Sequence, residues 1–364
     1  MKRYLILFIL TVFHLTLAVA QADLQPVALV NLTKSEPITV KQLKAEIEKY
    51  YWQNITARLG RIPTTTEINR EVQNCSIEEK RKILDILINN RLAMQAAERD
   101  KITVTDNEIN QQINLLKAQM AQTIGRQATD EEFAKAIKEE TGQDLPAFRE
   151  TVKRQGIVQK YLLSKKQDLF SSIKQPTDTE IVSFYNLNKA RFVRPETVRF
   201  SMIQVQYGSD TASKNRAKEL ADKLVRDIGS DPSKFDETVM RGQSPNSGYK
   251  AGDGGYIPRT TEAQQVAGAN FMNTAFLLKQ GEVSRLIEGV GGYQIIKVTE
   301  TLPQKALELD EITEPGSRVT VRQFIAENLL SRRQQETMER ASNELIAELR
   351  AGNPFRIMEN NLNW

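Results

Sequence analysis

The sequence predicts an α+β fold: a mainly helical body assembled from both ends of the chain, with a compact α+β unit inserted between them. Three observations carry this expectation. Glycine-rich turns punctuate residues 196–302 in the order strand, helix, turn, helix, strand. Helix-start signals recur from Thr39 to Thr177. A long amphipathic pattern then begins at Val319, beyond the inserted unit, and needs an apolar surface elsewhere to cover its face.

Met1-Lys2-Arg3 is a basic cap, and Tyr4 to Leu17 is an apolar run broken only by Thr11, His14 and Thr16. Ala18-Val19-Ala20 then offers small residues for cleavage before Gln21, so residues 1–20 are expected to be a secretory signal peptide. The run is shorter than the roughly 20 apolar residues a membrane span needs. No later stretch is long and apolar enough for stable insertion once the signal is removed. The absence of cysteine near Ala20 argues against a lipid-modified N-terminus.

Composition narrows the chemistry. Taking Lys2 and Arg3 from the 50 basic residues leaves 48 against 46 acidic ones, a net charge of +2. So small an excess, without a basic stripe interleaved with aromatics, argues against a nucleic-acid partner. Cys75 is alone, which rules out an intramolecular disulfide. His14 is the only histidine and falls in the segment to be removed, so no transition-metal site is expected. No phosphate-cradling Gly-x-x-x-x-Gly-Lys-Ser/Thr loop occurs, and no cofactor is expected.

Pro26 to Val30 reads as a short strand. Thr39 with Gln42 opens a helix through Leu43, Ile47, Tyr50 and Tyr51. Ser76 with Glu79 opens one carrying Ile83, Leu84, Leu87, Ile88 and Leu92. Thr105 with Glu108, Thr129 with Glu132 and Thr177 with Glu180 repeat the pattern. Each is a capping box, in which two side chains satisfy amides left free at a helix start. Asp144-Leu145-Pro146 begins a longer helix through Phe148, Val152, Tyr161 and Leu162, with proline tolerated in its first turn. The segment from Pro303 to Gly316 reads as acidic and irregular. The last helix carries Phe324, Ile325, Leu329, Met338, Leu345 and Leu349, stops at Gly352-Asn353-Pro354, and leads to a strand, Phe355 to Met358.

Within the inserted unit, Val198 to Val205 reads as a strand and Ala212 to Ile228 as a helix. A short helix (Phe235 to Arg241) follows, then the loop Ala251-Gly252-Asp253-Gly254-Gly255-Tyr256. Asn270 to Phe276 is a second short helix, followed by Gly281-Glu282-Val283-Ser284 and Gly292-Tyr293-Gln294-Ile295-Ile296-Lys297. These words, in this order, resemble a parvulin-type peptidyl-prolyl isomerase domain over about a hundred residues. The resemblance implies a peptide groove containing Met202, Phe271, Gln294 and Tyr256, with Phe271 in the floor of a proline pocket. It also exposes departures. Met202 and Gln294 stand where the family has two histidines, and Ser244-Pro245 where it has Asp or Cys. Gly254 replaces a leucine, which removes one wall of the pocket. Imidazole is the side chain best suited to proton exchange near neutral pH. Methionine cannot do this, and glutamine can only hydrogen-bond. No catalytic residue is therefore assigned: Met202, Gln294 and Ser244 are degenerate positions.

The whole layout resembles the SurA-type periplasmic chaperones and the PrsA-type foldases, with a single parvulin-like unit. That resemblance implies a chaperone domain from residues 21–195 and 303–364, interrupted by a parvulin-like domain at 196–302. It implies a periplasmic protein that binds unfolded polypeptides such as outer-membrane protein precursors, with an active isomerase of altered groove as the alternative. Tyr50-Tyr51-Trp52 is the candidate client-binding surface in the helical part, because three consecutive aromatics on a helix cannot all face one core.

Overall fold

The computed structural model describes residues 22–364 apart from Ser230, Pro245 and Val290. The expected signal peptide lies outside the described residues. Contacts divide the chain into two compact units, one of residues up to Ile173 with Arg333–Trp364, the other Lys174–Arg332.

The first unit is built around a small antiparallel sheet whose strands come from both ends of the chain. Strand β1 (Pro26–Val30) lies between β2 (Glu36–Thr39) and β9 (Phe355–Ile357), with Val30 opposite Phe355 and Ala28 opposite Ile357. Helices α1 (Val40–Leu59), α2 (Thr65–Asn74) and α3 (Ile77–Arg99) follow β2. Their capping boxes are all formed, as at Thr39 and Gln42, Thr64 and Glu67, and Ser76 and Glu79. Leu43 and Ile47 of α1 and Leu84, Ile88 and Leu92 of α3 are wholly buried with Val27 and Val30 of β1. Burying each such side chain contributes about 1.5–3 kcal/mol. The orphan face of the last helix is covered in the same core, which includes Ala341, Leu345 and Leu349.

Two polar side chains are buried in this core with partners. Gln95 holds the β1–β2 turn, accepting from the amides of Leu32 and Thr33 and donating to the Lys34 carbonyl. Lys80 donates to the carbonyls of Leu362 (3.1 Å) and Trp364 (2.7 Å), and the Trp364 ring centroid lies 3.8 Å from its ammonium. Burial lowers the Lys80 pKa. Three further helices, α4 (Asp106–Ile124), α5 (Asp130–Thr141) and α6 (Leu145–Lys165), enclose a smaller core of Ile109, Ile113, Phe133, Ile137 and Val152. The short α7 (Gln167–Ser171) completes the unit before Ile173.

The second unit extends past the parvulin-like segment at both ends. Helix α8 (Asp178–Leu187) buries Ile181 and Tyr185 against Leu307 and against Val321, Ile325 and Leu329 at the start of α13 (Val321–Arg350). Strand β3 (Val193–Arg194) pairs with β8 (Lys305–Ala306), inside the stretch expected to be irregular. The flanks at 174–195 and 303–332 thus group with this unit, although the sequence reading gave them to the helical body. The physical reason is pairwise: Tyr185 finds its apolar neighbours and its hydrogen-bond acceptor, the Leu307 carbonyl, far along the chain.

At the centre is a four-stranded antiparallel sheet. Strand β4 (Thr197–Gln206) lies between β5 (Lys250–Pro258) and β7 (Gly292–Leu302), and β6 (Ile287–Gly289) pairs on the outer side of β7. On one face Ile203, Val205, Tyr293 and Ile295 pack against α9 (Thr211–Ile228) and Phe235 of α10 (Pro232–Gly242). On the other, Val198, Phe200, Ile296 and Val298 pack against Phe271, Met272 and Ala275 of α12 (Ala269–Leu277), with α11 (Thr261–Ala267) alongside.

Candidate functional site

Two places are candidate sites, one in each unit. In the sheet unit the strand registers decide which residues share the groove. Met202 stands opposite Ile296, and Gln204 opposite Gln294, so all four project from one face of the β4–β7 pair. This is the face that carries Phe271. Met202, Gln294 and Phe271 therefore lie on one face. Met202 and Gln294 are half-buried, and Phe271 is only 3% exposed.

Gln294 lies against Gly289, where an added Cβ would come within 2.9 Å of its Oε1. That oxygen is buried and accepts no hydrogen bond from the protein. A buried acceptor without a donor is uncommon and costly, and a bound amide N–H could relieve it. Neither Met202, a thioether, nor Gln294, a carboxamide, can shuttle a proton.

Tyr256 does not join this group. It is opposite Arg199 on β4, which in turn is opposite Glu300 on β7, and these three occupy the other side of the sheet. The Tyr256 hydroxyl donates to Glu300 Oε2 at 2.7 Å, and the Arg199 guanidinium lies 5.3 Å from its ring centroid. The cause is a bulge. Phe200 pairs with Gly255 and Ser201 with Asp253, leaving Gly254 unpaired between them, so the alternation along β5 shifts by one. Ser244 is exposed in the turn after α10, its amide donating to the Arg241 carbonyl at 3.2 Å.

The helical unit holds two clefts. A cleft of about 760 Å³ lies between α1, α3 and α6, closed on one side by Met338. Its apolar surface comes from Ile38, Leu87, Met94, Val158, Leu162 and Met338, and its polar surface includes Gln42, Asn90, Gln155 and Gln159. Across α6 a second cleft of about 600 Å³ opens towards α4, with Ile109, Leu116, Phe148, Val152 and Leu163 among its walls. Gln155 and Gln159 border both.

The aromatic triplet on α1 is mostly engaged elsewhere. Trp52 donates from Nε1 to the Glu139 carbonyl at 3.0 Å and covers Gly142, where an added Cβ would lie 3.1 Å from the indole. Tyr51 reaches Glu79 at 3.4 Å, and desolvation raises its pKa. Tyr50 alone is open, at 47% exposure. Sequence reasoning missed the cleft because its residues come from four helices. The signal that could have found it is the second apolar line on α6, Val158 and Leu162, together with methionines at 94 and 338.

Comparison with known proteins agrees with this architecture. Residues 176–314 match the PPIC-type PPIASE domain. A Foldase protein PrsA of Clostridium botulinum is 25% identical over 294 residues, covering 78% of this chain and 75% of that one. A Foldase protein PrsA of Clostridium kluyveri is 27% identical over 299 residues, covering 80% and 79%. Among solved structures, a chain from the work on PEB4 and Cj1289, two SurA-like chaperones of Campylobacter jejuni, is similar at 17% identity and a TM-score of 0.30. That match covers 62% of this chain and 95% of the other. Fold and family match define a mainly helical protein carrying a PPIC-type domain at residues 176–314. Over most of its length it is similar to the PrsA proteins of these clostridia.

Proposed function

We propose that this protein is an exported, periplasmic holdase: it keeps unfolded polypeptides, outer-membrane protein precursors among them, from aggregating, and isomerises proline poorly or not at all. The observation that carries this reading is the cleft between α1, α3 and α6. Its apolar floor includes two methionines, whose flexible thioethers adapt to varied side chains. Its rim includes carboxamides, each able both to donate to and accept from a polypeptide backbone. Neither feature selects a particular sequence, which suits a binder of many unfolded chains.

The parvulin groove supports the second half of the reading. Exchange about an Xaa-Pro bond is slow because a partial double bond must twist, and a catalyst must favour the twisted state. Met202 offers no polar contact, and Gln294 offers a neutral amide. The retained Phe271 and the unpartnered Gln294 oxygen favour an alternative reading, an isomerase with an altered groove.

One preparation separates the two. Aggregation of an unfolded outer-membrane protein and proline-limited refolding of a model protein are measured side by side. Suppressed aggregation with an unchanged refolding rate is the expected result. Refolding accelerated as by a histidine-bearing parvulin, and lost on Phe271→Ala, would overturn the holdase reading. Export is tested by N-terminal sequencing of the protein from the envelope fraction, where a start near Gln21 is expected.

A further inference from the structure

The recess beside Phe271 already contains a side chain. Phe200, on β4, turns its ring across β5 onto the backbone of Gly254. A Cβ built on Gly254 would overlap that ring, 2.5 Å from Cζ and 2.7 Å from Cδ2. The same ring meets Phe271 edge to face, with centroids 5.0 Å apart and planes at 69°. Phe200 is 7% exposed and Phe271 3%. Val198 and Ile296 are buried in the same cluster, and Met202, Ile257 and Ala267 pack against it.

We infer that Phe200 is a resident occupant of the recess that a prolyl ring would otherwise enter, so the groove is closed to Xaa-Pro segments by the protein's own side chain. The inference rests on reading this face as a parvulin groove, and it supplies a cause of low isomerase activity separate from the missing imidazoles. Protein interiors are packed like organic crystals, so a five-membered ring cannot share the space with a buried phenyl ring. A ligand must move Phe200, breaking both its contact with Phe271 and its seat on Gly254. The absence of a Cβ at 254 is what makes that seat available. A side chain there would push the ring out of the recess or keep it from entering.

The opposite possibility is that Phe200 is a wall that a bound proline leans on. The two differ in sign. The test titrates the full chain with a short peptide containing Leu-Pro and with its Leu-Ala counterpart, following heat or chemical shift. Phe200→Ala should bind the Leu-Pro peptide at least about tenfold more tightly than the parent, and Phe200→Leu should fall between them. The gain should disappear when Phe271→Ala is added, and the Leu-Ala peptide should show little of it. Parent binding as tight as that of Phe200→Ala, or a gain equal for both peptides, overturns the inference. Should Phe200→Ala fail to melt cooperatively, the conservative Phe200→Leu decides, and no gain there also overturns it. Aggregation suppression by the parent reads the proposed holdase function separately: its absence would sink that function whatever the peptides do.

Discussion

The two candidate sites differ in what fills them. The helical cleft is open and lined by adaptable methionines, by carboxamides and by the charged Glu46, Lys49, Arg91 and Arg154, contributed by several helices. The parvulin groove is bounded by registered strands and closed by two phenyl rings in edge-to-face contact. An open, unselective surface can hold many chains weakly, whereas a sealed groove cannot turn over a substrate it does not admit. On the proposed function, a fold associated with catalysis persists as architecture while binding is carried by another part of the chain.

The sharpest attack on this contrast asks whether the units are separate cooperative bodies. Leu92 and Phe235 are both wholly buried, one in each unit. Leu92→Ala and Phe235→Ala should each remove about 2–5 kcal/mol. By calorimetry each should lower the transition of its own unit and leave the other in place. A common shift in both would show one body where two are described. Next in size is the groove itself. Introducing Met202→His and Gln294→His together should leave proline-limited refolding unchanged while Phe200 is present. The same pair in a Phe200→Ala background should accelerate it, by roughly the hundredfold at the lower end of what positioned acid–base groups supply. Acceleration without opening Phe200 would mean the groove is not sealed.

A smaller effect is expected in the cleft. Met94→Lys or Met338→Lys sets a charge on its apolar surface and should weaken binding of an unfolded client by about tenfold, with melting little changed. Tyr50→Ala serves as the comparison, since Tyr50 is exposed and lies outside the cleft. The mildest test is acidification. Glu67 and Glu132 are held at about 2 by Arg61 and Arg126 and by their capping threonines, against an ordinary 4.5. Glu108 is held at about 2 by the Thr105 amide and Lys160. Because folding lowers these values, the stability they provide is present above about 4.5 and is lost as pH falls towards 2. The helical unit should soften across that window, seen as falling melting temperature. Thr105→Ala should cost about 1 kcal/mol near neutral pH and flatten part of the acid slope.

Local features were the most legible in the sequence. The capping boxes at Thr39, Ser76, Thr105, Thr129 and Thr177 are all formed, because each needs only residues three positions apart. The same signature at Thr64 and Glu67 opens a helix that the reading passed over. In the groove, Met202 and Gln294 share a face by plain strand alternation, and Phe271 of helix α12 packs on that face. Tyr256 was misplaced because one unpaired residue, Gly254, reverses the alternation beyond it. Phe200 read as an ordinary strand residue, since its role depends on a glycine more than fifty positions away. The cleft was illegible for a related reason: four helices converge on it, and no periodicity records which of them meet.

The close fit of Phe200 over Gly254 also constrains the order in which this groove could change. A larger residue at 254 has no space while the phenyl ring rests there, so that step is blocked if taken first. Shrinking residue 200 first leaves a void, which is costly but structurally permitted. The pair therefore works as a ratchet: a lineage that acquired both residues has only one direct route back, through a destabilised intermediate. Imidazoles gained at 202 and 294 before that step would find no substrate to act upon, and selection would have no activity by which to keep them.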